Sequence, residues 1–201
     1  MSLGSISPAT RSAALQSMSS DVLDLLVVGA GATGCGTALD AAARGLRVGI
    51  IDKGDIAGGT SSRSSKLVHG GLRYLQQGNV SLVREALRER DLLLTTTAPH
   101  LVAPQPFILP LRHRGWERPY VGAGLLLYDM LGGSRALPRH RHLSRRRMLE
   151  QFPCLRREEF VGGLRFFDAR MDDARLAVAL ARTAVSQGAE LATYAALSSR
   201  L

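Results

Sequence analysis

Cysteine is nearly missing from this chain of 201 residues. Cys35 and Cys154 stand alone, too few and too far apart for a disulfide scaffold or a cysteine metal cluster. A reducing cytosol is the simplest compartment for such a chain. Lysine is almost as scarce, with only Lys53 and Lys66, so the net charge of +9 is carried by arginine. Aromatic residues make up only 5%, which leaves the basic stretches without the interleaved rings of a nucleic-acid footprint. Long apolar runs are missing too. The nearest candidate, Val121 to Tyr128, falls far short of the roughly 20 residues that cross a bilayer. No segment repeats.

What remains is a globular composition with abundant glycine, 21 residues in all, enough for one domain with a core or for one domain and part of a second. The positive balance favours anionic partners: phosphorylated metabolites, dinucleotides, anionic lipid or nucleic acid. Charge alone does not choose among them. Residues 1–21 are rich in Ser and Ala, and Arg11 is their one arginine. They lack the amphipathic arginine spacing of a transit peptide and read as a disordered N-terminal extension.

Order is expected from Val22. Residues 22–28 form an apolar run ending in glycine, as a buried parallel strand does. Residues 32–44 are alanine-rich and stop at Gly45, a helix with a glycine cap. Residues 46–52 read as a second buried strand, completing a βαβ unit. After a polar, glycine-rich stretch, residues 80–97 read as a helix. Val80, Val83, Leu87 and Leu94 fall on one face; Arg84, Glu85, Arg88, Glu89 and Asp91 cover the others. Six prolines between 104 and 153 break the next segment into short pieces, with Phe107 to Leu111 as one strand. Asp172 or Asp173 then caps a helix ended by Gly188, and a further strand is expected within 189–197.

Gly29-Ala30-Gly31-Ala32-Thr33-Gly34 lies between the first strand and the first helix, the context that gives the GxGxxG pattern its meaning. The first glycine permits the tight turn, the second lets a pyrophosphate approach the backbone, and the third lets helix and strand pack closely. The helix N-terminus presents free N–H groups to phosphate. Asp52 closes the second strand, where a carboxylate can hold an adenosine ribose diol and would repel a 2′-phosphate. The bland alternative is a glycine turn without a ligand. FAD and NAD share the fingerprint, but here a hydroxyl-rich loop, residues 54–66, follows Asp52 instead of further regular βα units. Its Ser and Thr hydroxyls suit an extended cofactor. A disordered linker is the rival reading, and the mixed run Leu67-Val68-His69-Gly70-Gly71-Leu72-Arg73-Tyr74-Leu75 argues against it.

The runs 29–45 (GAGATGCGTALDAAARG) and 59–75 (GTSSRSSKLVHGGLRYL) and the tetrad Asp172-Asp173-Ala174-Arg175 resemble the FAD-dependent glycerol-3-phosphate dehydrogenases, particularly bacterial forms. The shorter segments 82–87, 98–101 and 127–129 are also similar to that family. The resemblance implies an α/β fold: a Rossmann-like FAD-binding βαβ domain of the glutathione-reductase or D-amino-acid-oxidase type, with the start of a substrate domain, truncated. On that basis 22–99 would be the first segment of the FAD domain, and 100–201 an incomplete substrate region with a return strand. Gly29, Gly31, Thr33, Gly34, Asp52, Lys53, Thr60, Ser61 and Ser65 would hold FAD. His69, Gly70 and Gly71 would lie near the flavin. Arg73 and Tyr74 would face substrate, Arg73 on its phosphate. His69 has an equal reading as a hydrogen-bonded packing histidine, and Tyr74 one as plain core.

The resemblance further implies oxidation of sn-glycerol 3-phosphate to dihydroxyacetone phosphate, with electrons passed to quinone. No residue of this chain is assigned as the catalytic base, which in the family lies in later sequence, so weak or absent activity is expected of the chain alone. No metal site and no nucleic-acid partner are expected. The location implied is cytoplasmic, with peripheral attachment to the inner face of the membrane as an extension. The basic run Arg135, Arg139, His140, Arg141, His142, Arg145, Arg146 and Arg147 reads first as a solvated face, and second as a contact for anionic lipid. Two rivals stand beside this reading: a related flavoenzyme acting on an amino or hydroxy acid, and a non-catalytic basic binding fragment. Asp168, Asp172 and Asp173 read as helix-start capping residues, and Cys35 as a small residue packed in the first helix.

Overall fold

The structure is a computed structural model that describes residues 4–132 and 136–198. In chain order the elements begin with helix α1 (Pro8–Ser20), strand β1 (Leu25–Val28), α2 (Ala32–Ala43), β2 (Val48–Ile51), β3 (Leu67–Val68), α3 (Leu72–Gln76) and α4 (Val80–Leu92). They continue with β4 (Val102–Leu111), α5 (Glu117–Gly132), β5 (Arg141–Ser144), α6 (Arg145–Gln151), β6 (Gly162–Met171), α7 (Asp173–Ser186) and β7 (Glu190–Ala192). The chain forms two compact units. One takes residues 4–66 and 172–198, the other 67–171. This differs from the division expected at residue 99. The first unit ends at the hydroxyl-rich loop, and α4 belongs with the strands that follow it.

In the first unit β1, β2 and β7 make a parallel sheet in the order β1-β2-β7, with Leu25 opposite Val48 and Ile51 opposite Ala192. All four residues of β2 are buried, as befits a central strand covered on both faces. Val48 and Ile50 pack with Ala38, Ala41 and Ala42 of α2 and Ala181 and Ala184 of α7. Alanine faces let the two helices sit close together over the strands. The βαβ unit, the glycine stop after α2 and the return strand fall where the sequence puts them. Gly45 has φ +84, and Asp172 caps α7 by accepting from the Ala174 and Arg175 amides at 3.1 and 3.4 Å.

The N-terminal segment departs from expectation. Residues 8–20 are a helix, not a disordered extension. Ser7 and Thr10 form a reciprocal capping box, and Pro8 occupies the first turn, where its missing N–H costs nothing. A side chain at Gly49 would meet Met18 Sδ at 2.6 Å and Leu23 Cδ1 at 2.8 Å, so α1 covers the sheet face opposite α2 and α7. Polar ties hold it there. Ser17 Oγ donates to Glu190 Oε1 at 2.6 Å, and Arg11 Nε donates to the Thr193 carbonyl at 2.6 Å. The Ser/Ala composition hid these anchors because each depends on a partner more than 170 residues away.

In the second unit β6 is the spine. It pairs antiparallel with β4 along its whole length, from Val102 opposite Met171 to Leu111 opposite Gly162, and on its other side with β3 and β5. Pro104, Pro106 and Pro110 lie within β4 instead of breaking it. They share one parity, so their missing N–H groups fall on the edge turned away from β6, the position an edge strand tolerates. Val83, Leu87, Leu125 and Tyr128 pack on Leu164 and Phe166 across one sheet face, while Met148, Leu143 and Phe160 cluster on the other. α4 runs on through a π-helical turn, Leu93–Thr97. Val83 and Leu87 are buried as expected, Val80 is exposed, and Asp91, read as a solvent-side residue, is buried.

Removing residues 1–20 strips one face of the sheet, so the truncated chain is expected to unfold at clearly lower urea than the full chain. The milder change Ser7→Ala should cost about 1 kcal/mol. Unchanged midpoints for both in urea titrations would return the segment to a passive extension.

Candidate functional site

The first unit carries a crevice of about 510 Å³ at the ends of β1 and β2, bounded by the glycine turn, Asp52 and residues 58–61. The sequence builds it by leaving atoms out. A β-carbon on Gly34 would strike the Gly29 carbonyl oxygen and stand 3.2 Å from Val27 Cγ1, so α2 reaches its close approach to β1 only with glycine there. Gly29 itself has φ +115. Helix α2 begins at Gly31 with no side-chain cap, so its first turn opens into the crevice with its amides and its positive dipole end. Ser61 Oγ accepts from Ala32 N at 3.1 Å, which brings the hydroxyl-rich loop to the helix start.

Asp52 buttresses the turn from below. Its Oδ2 accepts from Ala30 N at 2.7 Å and its Oδ1 from Gly54 N at 2.8 Å. A carboxylate has about four acceptor positions, so two remain for a diol in the crevice it lines. The far end of the loop is pinned by Asp172 and Asp173 at the start of α7. Ser64 Oγ donates to Asp173 Oδ2 at 2.5 Å, and Lys66 Nζ pairs with Asp172 Oδ1 at 3.3 Å. The Lys66 ammonium, ahead of the α7 amides, holds the Asp172 carboxyl below its ordinary range.

Of the residues expected to hold a dinucleotide, Gly29, Gly31, Thr33, Gly34, Asp52, Thr60 and Ser61 converge on this crevice. Lys53 and Ser65 are exposed and do not line it. The others lie in the second unit, where a cleft of about 380 Å³ is lined by His69, Gly71, Arg73, Tyr74, Phe107, Phe166 and Asp168, among others. His69, Arg73 and Tyr74 are exposed, so Tyr74 is not plain core and His69 is not buried packing. Gly70 is buried beneath them.

Below that cleft runs a buried polar chain. Gly70 N–H donates to the Tyr128 hydroxyl at 2.8 Å, and Tyr128 donates to Asp168 Oδ1 and Oδ2 at 2.9 and 3.0 Å. Arg90 reaches Asp168 Oδ1 at 2.8 Å, and Asp91 Oδ1 through Nε and Nη2 at 3.0 and 2.8 Å. Asp168 is therefore an ion-paired strand residue, not a helix cap. Burial and then the Asp168 charge push the Tyr128 phenol far up, so it stays protonated. Sequence reading missed Arg90, Tyr128 and the part played by Asp168 because they sit on three different elements.

The basic run is largely absorbed locally. His140 Nδ1 lies 2.7 Å from Asp129, Arg145 Nε donates to the Phe160 carbonyl at 2.8 Å, and Arg146 pairs with Glu150. Arg139, Arg141 and Arg147 remain exposed; Arg135 lies outside the described residues. Burial, then Arg118 and His140, lowers the His142 pKa. Among the described residues no helix is long and apolar enough to cross a membrane.

A family model described as FAD dependent oxidoreductase matches residues 24–200. The chain belongs to this family. Glycerol-3-phosphate dehydrogenase 2 of Mycobacterium tuberculosis is 52% identical over 184 residues, covering 92% of this chain and 32% of that protein. The mitochondrial glycerol-3-phosphate dehydrogenase of Rattus norvegicus is 45% identical over 195 residues, covering 93% of this chain and 26% of its own length. Among solved structures, the glycerol-3-phosphate dehydrogenase from Bacillus halodurans complexed with FAD matches with a TM-score of 0.66 and 32% identity, over 96% of this chain and 30% of that one. This FAD dependent oxidoreductase chain thus spans about a third of the length of the curated relatives it matches. The α/β flavoprotein fold and the FAD cofactor expected from its motifs are borne out.

Cys35 offers a check on the packing of α2 behind the glycine turn. Burial, then the charge of Asp52, pushes its thiol up from 9.0 to about 11. The folded state favours the protonated thiol, so its contribution to stability is complete below about pH 9 and is lost as pH rises towards 11. At pH 8 a maleimide reagent should label one thiol of the native chain, the exposed Cys154, and a second only after unfolding. Rapid double labelling of the native protein would contradict the buried α2 face.

Proposed function

We propose that this chain is the FAD-binding part of an enzyme that oxidises sn-glycerol 3-phosphate to dihydroxyacetone phosphate and passes the electrons to quinone. The observation that carries the proposal is the crevice itself: an uncapped helix N-terminus, a turn that tolerates only glycine at position 34, and a carboxylate closing the adjacent strand. These features fit a dinucleotide with a free ribose 2′-hydroxyl. Gly29, Gly31, Thr33 and Gly34 would surround the pyrophosphate, Asp52 would take the adenosine ribose diol, and Thr60 and Ser61 would donate from the loop. Lys53 and Ser65, outside the crevice, keep only the support of the family resemblance. When bound, the flavin supplies the acceptor for the two electrons that leave the substrate carbon.

The chain's own residues account for recognition. Arg73 in the second-unit cleft presents a planar cation matched to phosphate oxygens, and the carboxylate that shares the cleft, Asp168, is paired with Arg90. His69 and Tyr74 supply polar atoms to orient the glycerol hydroxyls, and Phe107 and Phe166 exclude water from the cleft floor. Gly70 and Gly71 set the backbone that carries them. The identification of glycerol 3-phosphate is supported by the 52% identity to a protein of that name, and the quinone acceptor by the family resemblance. A cytoplasmic location with peripheral contact to anionic lipid is the setting that suits a membrane-soluble acceptor; the exposed Arg139, Arg141 and Arg147 would provide the charge.

Flavin titration of the purified chain is expected to show saturable FAD binding, lost in Gly34→Val and retained in Arg73→Ala. Arg73→Ala should weaken glycerol 3-phosphate about 10- to 100-fold, as removal of a charge-assisted phosphate contact does. Binding of glycine or a hydroxy acid that equals or exceeds that of glycerol 3-phosphate would favour a related flavoenzyme. Absence of flavin binding, with affinity for polyanions that falls steeply in salt, would replace the proposal with a basic binding fragment.

A further inference from the structure

The proposed function leaves unused the most heavily buried polar group in the second unit. Arg90, Asp91 and Asp168 are only 5%, 6% and 4% exposed, and Tyr128 only 2%. Charged groups of this kind can often be exchanged for apolar ones without loss of stability, so their presence in a core is poorly explained by stability alone. Their hydrogen bonds, however, have a single direction. Arg90 can only donate, so Asp91 and Asp168 are its acceptors. Asp168 in turn accepts from the Tyr128 hydroxyl, so the phenol oxygen offers its lone pairs to Gly70 N–H. Asp168 Oδ1 also lies 3.4 Å from the same N–H, a longer second acceptor behind the phenol.

The chain ends on a backbone group whose orientation matters. The Gly70 amide belongs to the peptide plane that also contains the His69 carbonyl, so fixing the N–H fixes how His69 leaves the backbone. A β-carbon on Gly70 would strike Leu87 and come within 2.6 Å of the Tyr128 hydroxyl, so this approach leaves room only for hydrogen. Gly71 follows in the left-handed region, with φ +71 and ψ +53, and opens α3, which carries Arg73 and Tyr74. The short helix α3 has no side-chain cap to define its start. The anchored peptide defines it instead.

We infer that Tyr128, oriented by Asp168 and Arg90, is a positioning residue for the cleft, acting through the Gly70 amide to place His69, Arg73 and Tyr74 for a phosphate-bearing substrate. The inference rests on the reading of that cleft as the glycerol phosphate site. It assigns Tyr128 no contact with substrate and no proton transfer. Its hydroxyl is a fixed acceptor whose polarity is set two hydrogen bonds away, at the Arg90 guanidinium.

Tyr128→Phe keeps the ring and deletes the nearer acceptor, leaving the Gly70 N–H only Asp168 Oδ1 at 3.4 Å. Leu125→Ala, on the same helix and equally buried, is the control for general loosening of the core. In the full chain with FAD present, three quantities are measured: melting temperature, hydrogen exchange of the Gly70 amide by NMR, and affinity for glycerol 3-phosphate. In the wild type the Gly70 amide should be strongly protected. Tyr128→Phe should speed its exchange about tenfold beyond any change in Leu125→Ala. It should also weaken glycerol 3-phosphate about tenfold, whereas Leu125→Ala lowers melting temperature without that selective loss. Asp168→Asn, which keeps the shape but not the charge, should move exchange and affinity in the same direction. An unprotected Gly70 amide in the wild type overturns the inference without any variant. So does equal loss of affinity in Tyr128→Phe and Leu125→Ala at matched melting temperatures. A wild type that binds no glycerol 3-phosphate refutes the cleft assignment instead; if its Gly70 amide is protected and released by Tyr128→Phe, the anchoring itself stands.

Discussion

A carboxylate sunk in an apolar interior must be neutralised and hydrogen-bonded, and that requirement at Asp168 organises the second unit. The guanidinium that meets it comes from α4, the phenol from α5, and the carboxylate from β6. Three elements far apart in sequence are thereby registered against one another before any apolar side chain is considered. The hydrophobic cluster of Val83, Leu87, Leu125, Leu164 and Phe166 then fills the space around the ion pair. Apolar contacts alone would tolerate small slips of helix over strand; a fork of donors on fixed oxygens does not.

The first unit answers to the opposite condition. There the polar groups are left open instead of matched. The start of α2 lacks a cap, Asp52 keeps acceptor capacity, and the loop hydroxyls gather at the helix start. The openness is built on close packing, since alanine faces on α2 and α7 and the bare backbone at Gly34 bring helix and strands together. The buried polar groups of the second unit register its elements, and those at the start of α2 stay open to a ligand.

Legibility in the sequence followed the range of the interactions involved. β1, α2 and β2 were readable because their signals are local: an apolar run, a glycine turn, an alanine face and a glycine stop within about thirty residues. Much of the crevice was readable for the same reason, as Gly29 to Gly34, Asp52, Thr60 and Ser61 belong to adjacent segments. β6 was not, because residues 162–171 mix Gly, Arg and Phe in a pattern that makes sense only between β4 on one side and β3 and β5 on the other. The prolines of β4 were read as breaks because their tolerance depends on that strand being an edge. Asp168 was taken for a cap and Asp91 for a surface charge because neither residue announces its partner. Arg90 and Asp168 stand 78 positions apart, and nothing in either neighbourhood encodes the meeting.

The pairing of Lys66 with Asp172 has a topological meaning as well as a local one. The chain leaves the first unit just after Lys66 and returns to it at Asp172, and those two side chains are 3.3 Å apart. Everything from 67 to 171 is therefore an insert whose two ends emerge from one doorway. Such an arrangement frees the inserted region to lengthen, shorten or change its chemistry over evolutionary time with little disturbance to the parallel sheet, because both hinges of the doorway belong to the host.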